Sequence, residues 1–145
     1  MVKHDFKWNK HMKVVFVNGT FDVLHKGHID LLTYAKSLGD CLFVAIDTDE
    51  RVRSLKGPGR PIMNQSDRFA MLLALRSVDG VFWFESDDQL EKLIKHAKVD
   101  IMVKGSDWKD KPIIGSKYAK NIVFFDRLPY STTDVIQKIQ NLSKE

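Results

Sequence analysis

The chain has 145 residues, of which 43% are hydrophobic and 29% are charged, and its formal net charge is +4. This composition is typical of one globular domain and excludes a disordered chain. No apolar run approaches the roughly 20 residues of a membrane-spanning helix, and no signal peptide is evident, so we expect a cytoplasmic protein without a membrane partner. The positive charge favours anionic ligands, but the basic residues are dispersed, which argues against nucleic acid.

The first half of the chain alternates strand and helix patterns after a short arm, which we place at residues 1–12. The run KVVFVNG at 13–19 is continuous and rich in β-branched residues, as in a strand covered on both faces. Residues 27–40 predict an amphipathic helix, and 41–47 predict a second buried strand. Residues 50–63 begin as a helix and then break into a loop rich in glycine and proline.

The second half continues the alternation. Residues 66–78 predict an apolar helix with Ser66 as its N-cap, and 106–120 has no clean period and predicts a loop. A strand, a helix, two further strands and a closing helix are predicted in chain order at 80–84, 87–98, 99–105, 121–128 and 131–142. We therefore predict the α/β class, with a single Rossmann-like domain at 13–145, a five-stranded parallel sheet and helices on both faces.

Ligands of such sheets bind outside the carboxyl ends of the strands. In this chain those ends carry small, polar and basic residues, which together suit a polyphosphate. The residues are Asn18, Gly19, Thr20, Phe21 and Asp22 after the first strand, Asp47 after the second, Lys56 and Arg60 in the following loop, Lys104, Gly105, Asp107 and Trp108 after the fourth, and Arg127, Ser131, Thr132 and Thr133 after the fifth.

Two histidines stand where the first strand leads into the first helix. If that helix begins near Lys26, His25 and His28 share one side of its amino end, where the helix dipole favours an anion. Two imidazole donors there would stabilise charge on a phosphoryl group under attack, and Gly27 would allow a nucleobase to approach closely. The alternative interpretation is that the two histidines are unrelated residues with solvated or structural roles. A metal could bind them too, but no cysteine or third ligand is evident, so we expect no protein-bound metal.

The stretch NGTFDVLHKGH resembles the signature of the nucleotidyltransferase superfamily that carries a His-x-Gly-His motif. Within it, the chain is most similar to the adenylyltransferases of ADP-heptose synthase. The matching pieces are NGTFDVLHKGHIDLL, LGDCLFVAIDTDERVRSLKGPGRPI, DIMVKGSDW, IIGSK and STTDVIQKI, which fall in order across residues 14–140. SLKGPGRP and VKGSDW favour this branch. Trp108 and Arg127 also suit the sister family of glycerol-3-phosphate cytidylyltransferases, so that alternative stays open.

The resemblance implies that an acceptor phosphate attacks the α-phosphorus of a nucleoside triphosphate and releases pyrophosphate. It implies ATP and heptose 1-phosphate as substrates, Mg²⁺ bound through the substrate phosphates, and a homodimer. We assign catalysis to His25, His28 and Lys56. We assign nucleotide binding to Asn18, Gly19, Thr20, Phe21, Gly27, Lys104, Gly105, Asp107, Trp108 and Ser131 to Thr133.

We assign acceptor binding to five charged residues, two of which have an alternative interpretation. The alternative for Asp22 is a turn residue that orients the loop, and the alternative for Arg68 is a pair with acids such as Asp67 or Asp49 instead of substrate. The five residues are Asp22, Asp47, Arg60, Arg68 and Arg127.

Overall fold

Five strands alternate with helices along the chain in the computed structural model, which describes residues 1–126 and 130–144. The strands are β1 (Val14–Gly19), β2 (Cys41–Asp47), β3 (Gly80–Phe84), β4 (Ile101–Gly105) and β5 (Asn121–Phe125). The main helices are α1 (Lys26–Ser37), α2 (Asp49–Lys56), α3 (Gln65–Leu73), α4 (Asp87–His96) and α5 (Thr132–Leu142).

The strands form one parallel sheet in the order β3-β2-β1-β4-β5. β1 is central, since it pairs with β2 on one side and β4 on the other. The strand order therefore reverses between β1 and β4, and such a reversal opens a crevice at the carboxyl ends of the two strands.

Alternate side chains of the central strands enter two separate hydrophobic clusters. Val15 and Val17 of β1 belong to a cluster with residues of α1 and α3, whereas Val14 and Phe16 belong to one with residues of α4. A strand places successive side chains on opposite faces, so the two clusters lie on the two faces of the sheet. The predicted α/β sheet with helices on both faces is confirmed.

The predicted arm contacts the edge of the sheet. The Val81 N–H of β3 donates to the Met1 carbonyl at 2.9 Å, and Val2 makes an antiparallel bridge with Gly80. Farther along the arm, the Phe6 ring meets the Phe43 ring edge-on, with 5.7 Å between their centroids. The arm thereby covers part of an edge strand, which would otherwise expose unpaired main-chain groups.

Several predicted boundaries differ from the structure. The predicted Ser66 cap is wrong, because α3 begins one residue after Asn64, whose side chain accepts the Asp67 N–H at 2.8 Å. α3 ends at Leu73 rather than at 78, because tight turns follow it, with Val78 N–H donating to the Leu75 carbonyl.

Three further boundaries also move. α1 ends at Ser37 and β5 at Phe125, and the predicted loop 106–120 contains short 3₁₀ turns at Ser106–Trp108 and Ser116–Tyr118. No helix in the described ranges has the length and apolarity needed to cross a bilayer.

Asp100 links β1, β4 and β5 at the end of the sheet where these strands begin. Asp100, just before β4, accepts the Val14 N–H at 2.8 Å and an ion pair from Lys120 at 3.0 Å, while its carbonyl accepts the Asn121 N–H. Burial raises the pKa of this carboxyl, but the Val14 hydrogen bond and Lys120 outweigh burial, so the pKa lies below its ordinary value of 3.8.

We expect Asp100→Asn to lower the free energy of unfolding by about 1–2 kcal/mol at neutral pH, because the charged hydrogen bond and the ion pair are lost. A lowered folded-state pKa stabilises above pH 3.8 and loses its effect as the pH falls through the folded value. The difference between variant and parent in urea titrations should therefore shrink in acid. Asp110→Asn, on an exposed loop, is the control, and a difference that does not change with pH would contradict this account.

Candidate active site

A cleft of about 530 Å³ opens at the carboxyl ends of the strands, and each of the five strands contributes a residue to its lining. Among the described residues, every predicted site residue except Arg68 lines it. Those that line it are Asn18, Gly19, Thr20, Phe21, Asp22, His25, Gly27, His28, Asp47, Lys56, Arg60, Lys104, Gly105, Asp107, Trp108, Ser131, Thr132 and Thr133. Arg127 lies outside the described residues, so its assignment stays a prediction.

His25 and His28 stack on each other at the amino end of α1. Their ring centroids are 3.9 Å apart and their planes differ by 30°. His25 is the N-cap, and its Nδ1 accepts the Gly27 N–H at 3.0 Å. His28 Nδ1 in turn accepts the His25 N–H at 3.1 Å. Because each Nδ1 is an acceptor, the hydrogen of a neutral ring lies on Nε2, so the donor of each ring is its Nε2–H.

Gly27 is required by the packing of its neighbours. A Cβ on this residue would lie 2.8 Å from Cε1 of His25 and 3.0 Å from the Tyr130 Cβ. Any other residue would therefore push the His25 ring away from the helix start. In the structure, glycine is needed at this position because of the His25 and Tyr130 side chains. The predicted contact of Gly27 with a nucleobase stays a prediction.

The loop after β1 turns sharply beneath the histidines. Phe21 has a φ of 53°, in the left-handed region that side chains rarely occupy. Its ring is buried in the core and lies 5.3 Å from the His28 ring, centroid to centroid. Gly19 lacks the Cβ that would stand 3.1 Å from the Phe21 ring. Core packing of one phenylalanine thus holds the turn that brings the loop to the cleft.

Asp22 fastens one loop of the cleft to another. It is 1% exposed, and its carboxylate accepts the N–H groups of Ile62 and Met63 at 2.7 and 2.9 Å. Arg60 Nε approaches the same carboxylate at 3.4 Å. Both oxygens are thereby engaged within the protein. These contacts favour the alternative interpretation of Asp22, a residue that orients the loops, and its assignment to substrate binding stays a prediction.

Arg68 is a second buried link and does not line the cleft. Its side chain is 0% exposed. The guanidinium donates to the Thr20 carbonyl at 2.8 Å, the Met63 carbonyl at 3.0 Å and Asp49 Oδ1 at 2.8 Å. A guanidinium held in this way has no access to substrate, so the substrate-binding assignment is corrected to the alternative pairing with Asp49.

The amino end of α5 is bonded directly to the loop after β1. Ser131 caps the helix by accepting the Asp134 N–H at 3.0 Å. Thr132 Oγ1 donates to the Asp22 carbonyl at 2.6 Å. The main-chain N–H groups and the positive dipole end of α5 therefore lie in the same cleft as the histidines.

The loop after β4 adds a lysine and an indole to the cleft. Lys104 Nζ lies 4.4 Å from the centroid of the Trp108 ring. Burial lowers the pKa of Lys104, and the nearby carboxylates of Asp47 and Asp107 offset part of that change. On the other side of the cleft, Lys56 is the last residue of α2, which Gly57 ends with a φ of 99°.

Two polar lining residues were missed by the sequence interpretation, Arg51 and Tyr130. Arg51 stands four residues after Asp47 and pairs with it, so the acid–base spacing at the start of a helix was an available signal. Tyr130 directly precedes Ser131, and no sequence pattern placed it over Gly27.

The family model described as cytidylyltransferase-like matches residues 16–138. The chain belongs to the cytidylyltransferase-like family. This membership confirms the predicted class of enzyme, a nucleotidyltransferase, and the predicted resemblance.

The cytidylyltransferase-like chain is similar to one part of longer proteins. It is 46% identical over 129 residues to the bifunctional protein HldE of Helicobacter pylori (strain P12), a match that covers 88% of this chain and 28% of that protein. The HldE of Campylobacter fetus subsp. fetus (strain 82-40) is 46% identical over 128 residues, with the same coverage of 88% and 28%. The chain thus spans little more than a quarter of the length of these relatives.

Two solved structures have the same fold. The lipopolysaccharide core biosynthesis protein from Thermoplasma volcanium GSS1 superposes with a TM-score of 0.67 at 30% identity, covering 81% of this chain and 98% of that one. The pantoate-beta-alanine ligase from Francisella tularensis superposes with a TM-score of 0.56 at 19% identity, covering 95% and 74%. The second likeness concerns the fold alone.

We expect Gly27→Ala to reduce nucleotidyl transfer strongly while the protein stays folded. Alanine favours a helix over glycine by about 1 kcal/mol. Its Cβ, however, would lie only 2.8 Å from Cε1 of His25 and would displace that ring. Pyrophosphate release and thermal unfolding measure the two effects separately. Gly59→Ala is the matched control, since a Cβ there meets nothing within 4 Å. Full activity in Gly27→Ala would show that the His25 position is unimportant.

We expect Asp22→Asn to loosen the loop at Ile62 and Met63, because an amide cannot accept both N–H groups as a carboxylate does. Hydrogen exchange of these two amides should accelerate, and kcat/KM should fall because Arg60 is no longer held beside the cleft. The amides of β2 provide the internal control and should exchange as in the parent. Unchanged exchange at Ile62 and Met63 would contradict the proposed link.

Proposed function

We propose that this chain transfers an adenylyl group from ATP to heptose 1-phosphate. A phosphate oxygen of the acceptor forms a new bond to the α-phosphorus, the bond from the α-phosphorus to the bridging oxygen breaks, and pyrophosphate leaves. The observation that carries the proposal is the stacked pair of His25 and His28, with both Nδ1 atoms engaged by main-chain N–H groups, at the mouth of the cleft.

The site supports this reaction by positioning and electrostatics. Phosphoryl and nucleotidyl transfer need no protein nucleophile, and donors fixed before the reaction stabilise the charge that develops in the transition state. His25 and His28 would donate from Nε2 to the phosphate under attack. The amino end of α5, at Ser131, would face the leaving phosphates, and Lys104 would supply a positive charge between them.

Both substrates are anionic, so their approach needs further positive charge. Lys56 and Arg60 line the side of the cleft nearer α2, and we propose that they hold the acceptor phosphate. Close approach of the two phosphates then lowers the barrier by converting an encounter into a reaction between bound groups.

We propose that Mg²⁺ accompanies the triphosphate, since hard oxygen ligands suit this ion. Across the described residues, no group of three or more His, Cys, Asp or Glu side chains could hold a metal ion. The phosphate oxygens would therefore supply most of its ligands, and the Asp107 carboxylate, which lines the cleft, fits as an additional one. The bound ion would neutralise part of the triphosphate charge.

The choice of ATP and heptose 1-phosphate is supported by the similarity to the HldE proteins over nearly the whole chain. It is also supported by the SLKGPGRP loop, which carries Lys56 and Arg60 into the cleft. The alternative is transfer from CTP to glycerol 3-phosphate, which is favoured by the position of Trp108 in the cleft. By family resemblance, we further propose a cytoplasmic homodimer.

A substrate panel tests the proposal. The protein and Mg²⁺ are incubated with each of the four common nucleoside triphosphates against heptose 1-phosphate, other sugar 1-phosphates and glycerol 3-phosphate, and pyrophosphate is measured. Release with ATP and heptose 1-phosphate supports the proposal, release with CTP and glycerol 3-phosphate supports the alternative, and no release with any pair refutes both.

We expect His28→Asn to reduce kcat by about 100-fold or more, as for other lost transition-state donors. Asparagine can still accept the His25 N–H in place of Nδ1, so thermal stability should change little. His28→Gln carries an amide near the position of Nε2 and should retain more activity than His28→Asn. His96→Asn, on the exposed end of α4, is the control. Equal activity of His28→Asn and the parent would refute the role of His28.

A further inference from the structure

The wall of the cleft formed by β2 and α2 holds a chain of hydrogen bonds that the proposed mechanism does not use. Arg51 Nε donates to Asp47 Oδ1 at 2.8 Å, and its Nη2 donates to Asp87 Oδ1 at 2.6 Å. The guanidinium carbon lies 5.1 Å from the centroid of the Phe84 ring. Thr20 Oγ1 donates to the other oxygen of Asp47 at 3.2 Å. Four contacts therefore fix the Asp47 carboxylate and its arginine at the end of β2.

The charge of this wall differs from that of the rest of the cleft. Arg51 is one cation between the two carboxylates of Asp47 and Asp87, so the group carries a net negative charge. Burial lowers the pKa of Arg51, but the bonds to Asp87 and Asp47 outweigh burial and raise it, so Arg51 stays charged. This group therefore suits neutral hydroxyls better than phosphate, whereas Lys56 and Lys104, which line the cleft beside it, suit the phosphates of the two substrates.

Asp47 retains the capacity to accept further hydrogen bonds. A carboxylate offers about four lone-pair sites, and Arg51 and Thr20 each occupy one of them. Asp47 lines the cleft, and its side chain is 13% exposed. The remaining sites suit the hydroxyl groups of a ligand, which can donate to a carboxylate without bringing negative charge.

Apolar side chains complete the same part of the cleft. Leu55, four residues after Arg51 on α2, lines it with an exposed side chain, and Phe84 and Leu90 line it as buried side chains. A sugar has C–H faces that pack on apolar and aromatic groups and hydroxyls that bind a carboxylate. A wall that combines both kinds of group matches a polyhydroxylated acceptor.

We propose that Asp47 binds hydroxyl groups of the acceptor sugar and that Arg51 is the positioning residue that holds Asp47 in place for this contact. The inference rests on the proposed transfer to a sugar phosphate and specifies which wall of the cleft recognises the sugar.

Steady-state kinetics with ATP and heptose 1-phosphate test it, using the parent, Arg51→Met, Asp47→Asn and the double variant. Methionine keeps an unbranched stem over Phe84 but removes the charge. We expect KM for heptose 1-phosphate to rise about tenfold or more in each single variant, with KM for ATP within about twofold of the parent. Arg53→Met, an exposed arginine on the same helix, is the matched control and should behave as the parent.

Coupling between the two residues separates positioning from independent effects. Since Arg51 acts through Asp47, the double variant should be no worse than Asp47→Asn alone. Arg51→Lys should recover part of the acceptor affinity, because lysine can still pair with Asp47. Equal increases in KM for both substrates, additive losses, or an unchanged KM for the acceptor would overturn the inference. If Arg51→Met does not fold, Arg51→Lys and Arg51→Gln carry the same comparison.

The activity of the parent enzyme separates failure of the proposed function from failure of the inference about Asp47 and Arg51. If the parent releases no pyrophosphate with ATP and heptose 1-phosphate or with CTP and glycerol 3-phosphate, the proposed function fails and this inference fails with it. If the parent is active and Arg51→Met has an unchanged acceptor KM, only this inference fails.

Discussion

The two hydrogen bonds to the Nδ1 atoms of His25 and His28 determine what the rest of the site can do. They cap α1, and they also fix the orientation of the two rings, which line the cleft. The helix start and the proposed anion site are therefore built from the same two side chains. Gly27 belongs to this arrangement because only a residue without a Cβ leaves room for the His25 ring. A helix cap is ordinarily a matter of stability, but here the orientation of two donors depends on it.

Two buried charged residues join the loops around that pair. Asp22 connects the loop after β1 to Ile62 and Met63, and Arg68 connects Thr20 to Met63 and Asp49. A buried charge is costly unless it is paired and hydrogen-bonded, and both of these are. Asp22 and Arg68 contribute through geometry. They hold the loop after β1 and the loop at Ile62 and Met63, which adjoin the proposed phosphate-binding groups, at a fixed separation. While the hydrogen bonds of Asp22 and Arg68 are formed, the segment from Lys56 to Arg60 stays close to the histidines.

The sequence predicted the fold well because hydrophobic periodicity reports burial directly. The continuous apolar run at 13–19 is typical of a buried strand, and the apolar stripe in 27–40 is typical of an amphipathic helix. His25 and His28 follow the end of the first strand, where such sheets bind ligands. Arg68 was misassigned for a physical reason, and the contacts of Asp22 favour a structural role for the same reason. A charged residue near a site either binds the ligand or forms hydrogen bonds that hold neighbouring loops in place. Only the partners of its side chain in the structure distinguish these two roles. Helix ends were less certain because Asn64 and Ser66 are both good caps.

The helix α5 lines the cleft with its amino end, yet the structure places none of its described residues fully in the core. Its apolar side chains Ile139 and Leu142 are 59% and 61% exposed, so little burial holds it against the sheet. Segments with few buried contacts open at a small free energy, well below that of global unfolding. A nucleotide bound at the amino end of α5, as proposed, would therefore stabilise the packed form of this helix by mass action.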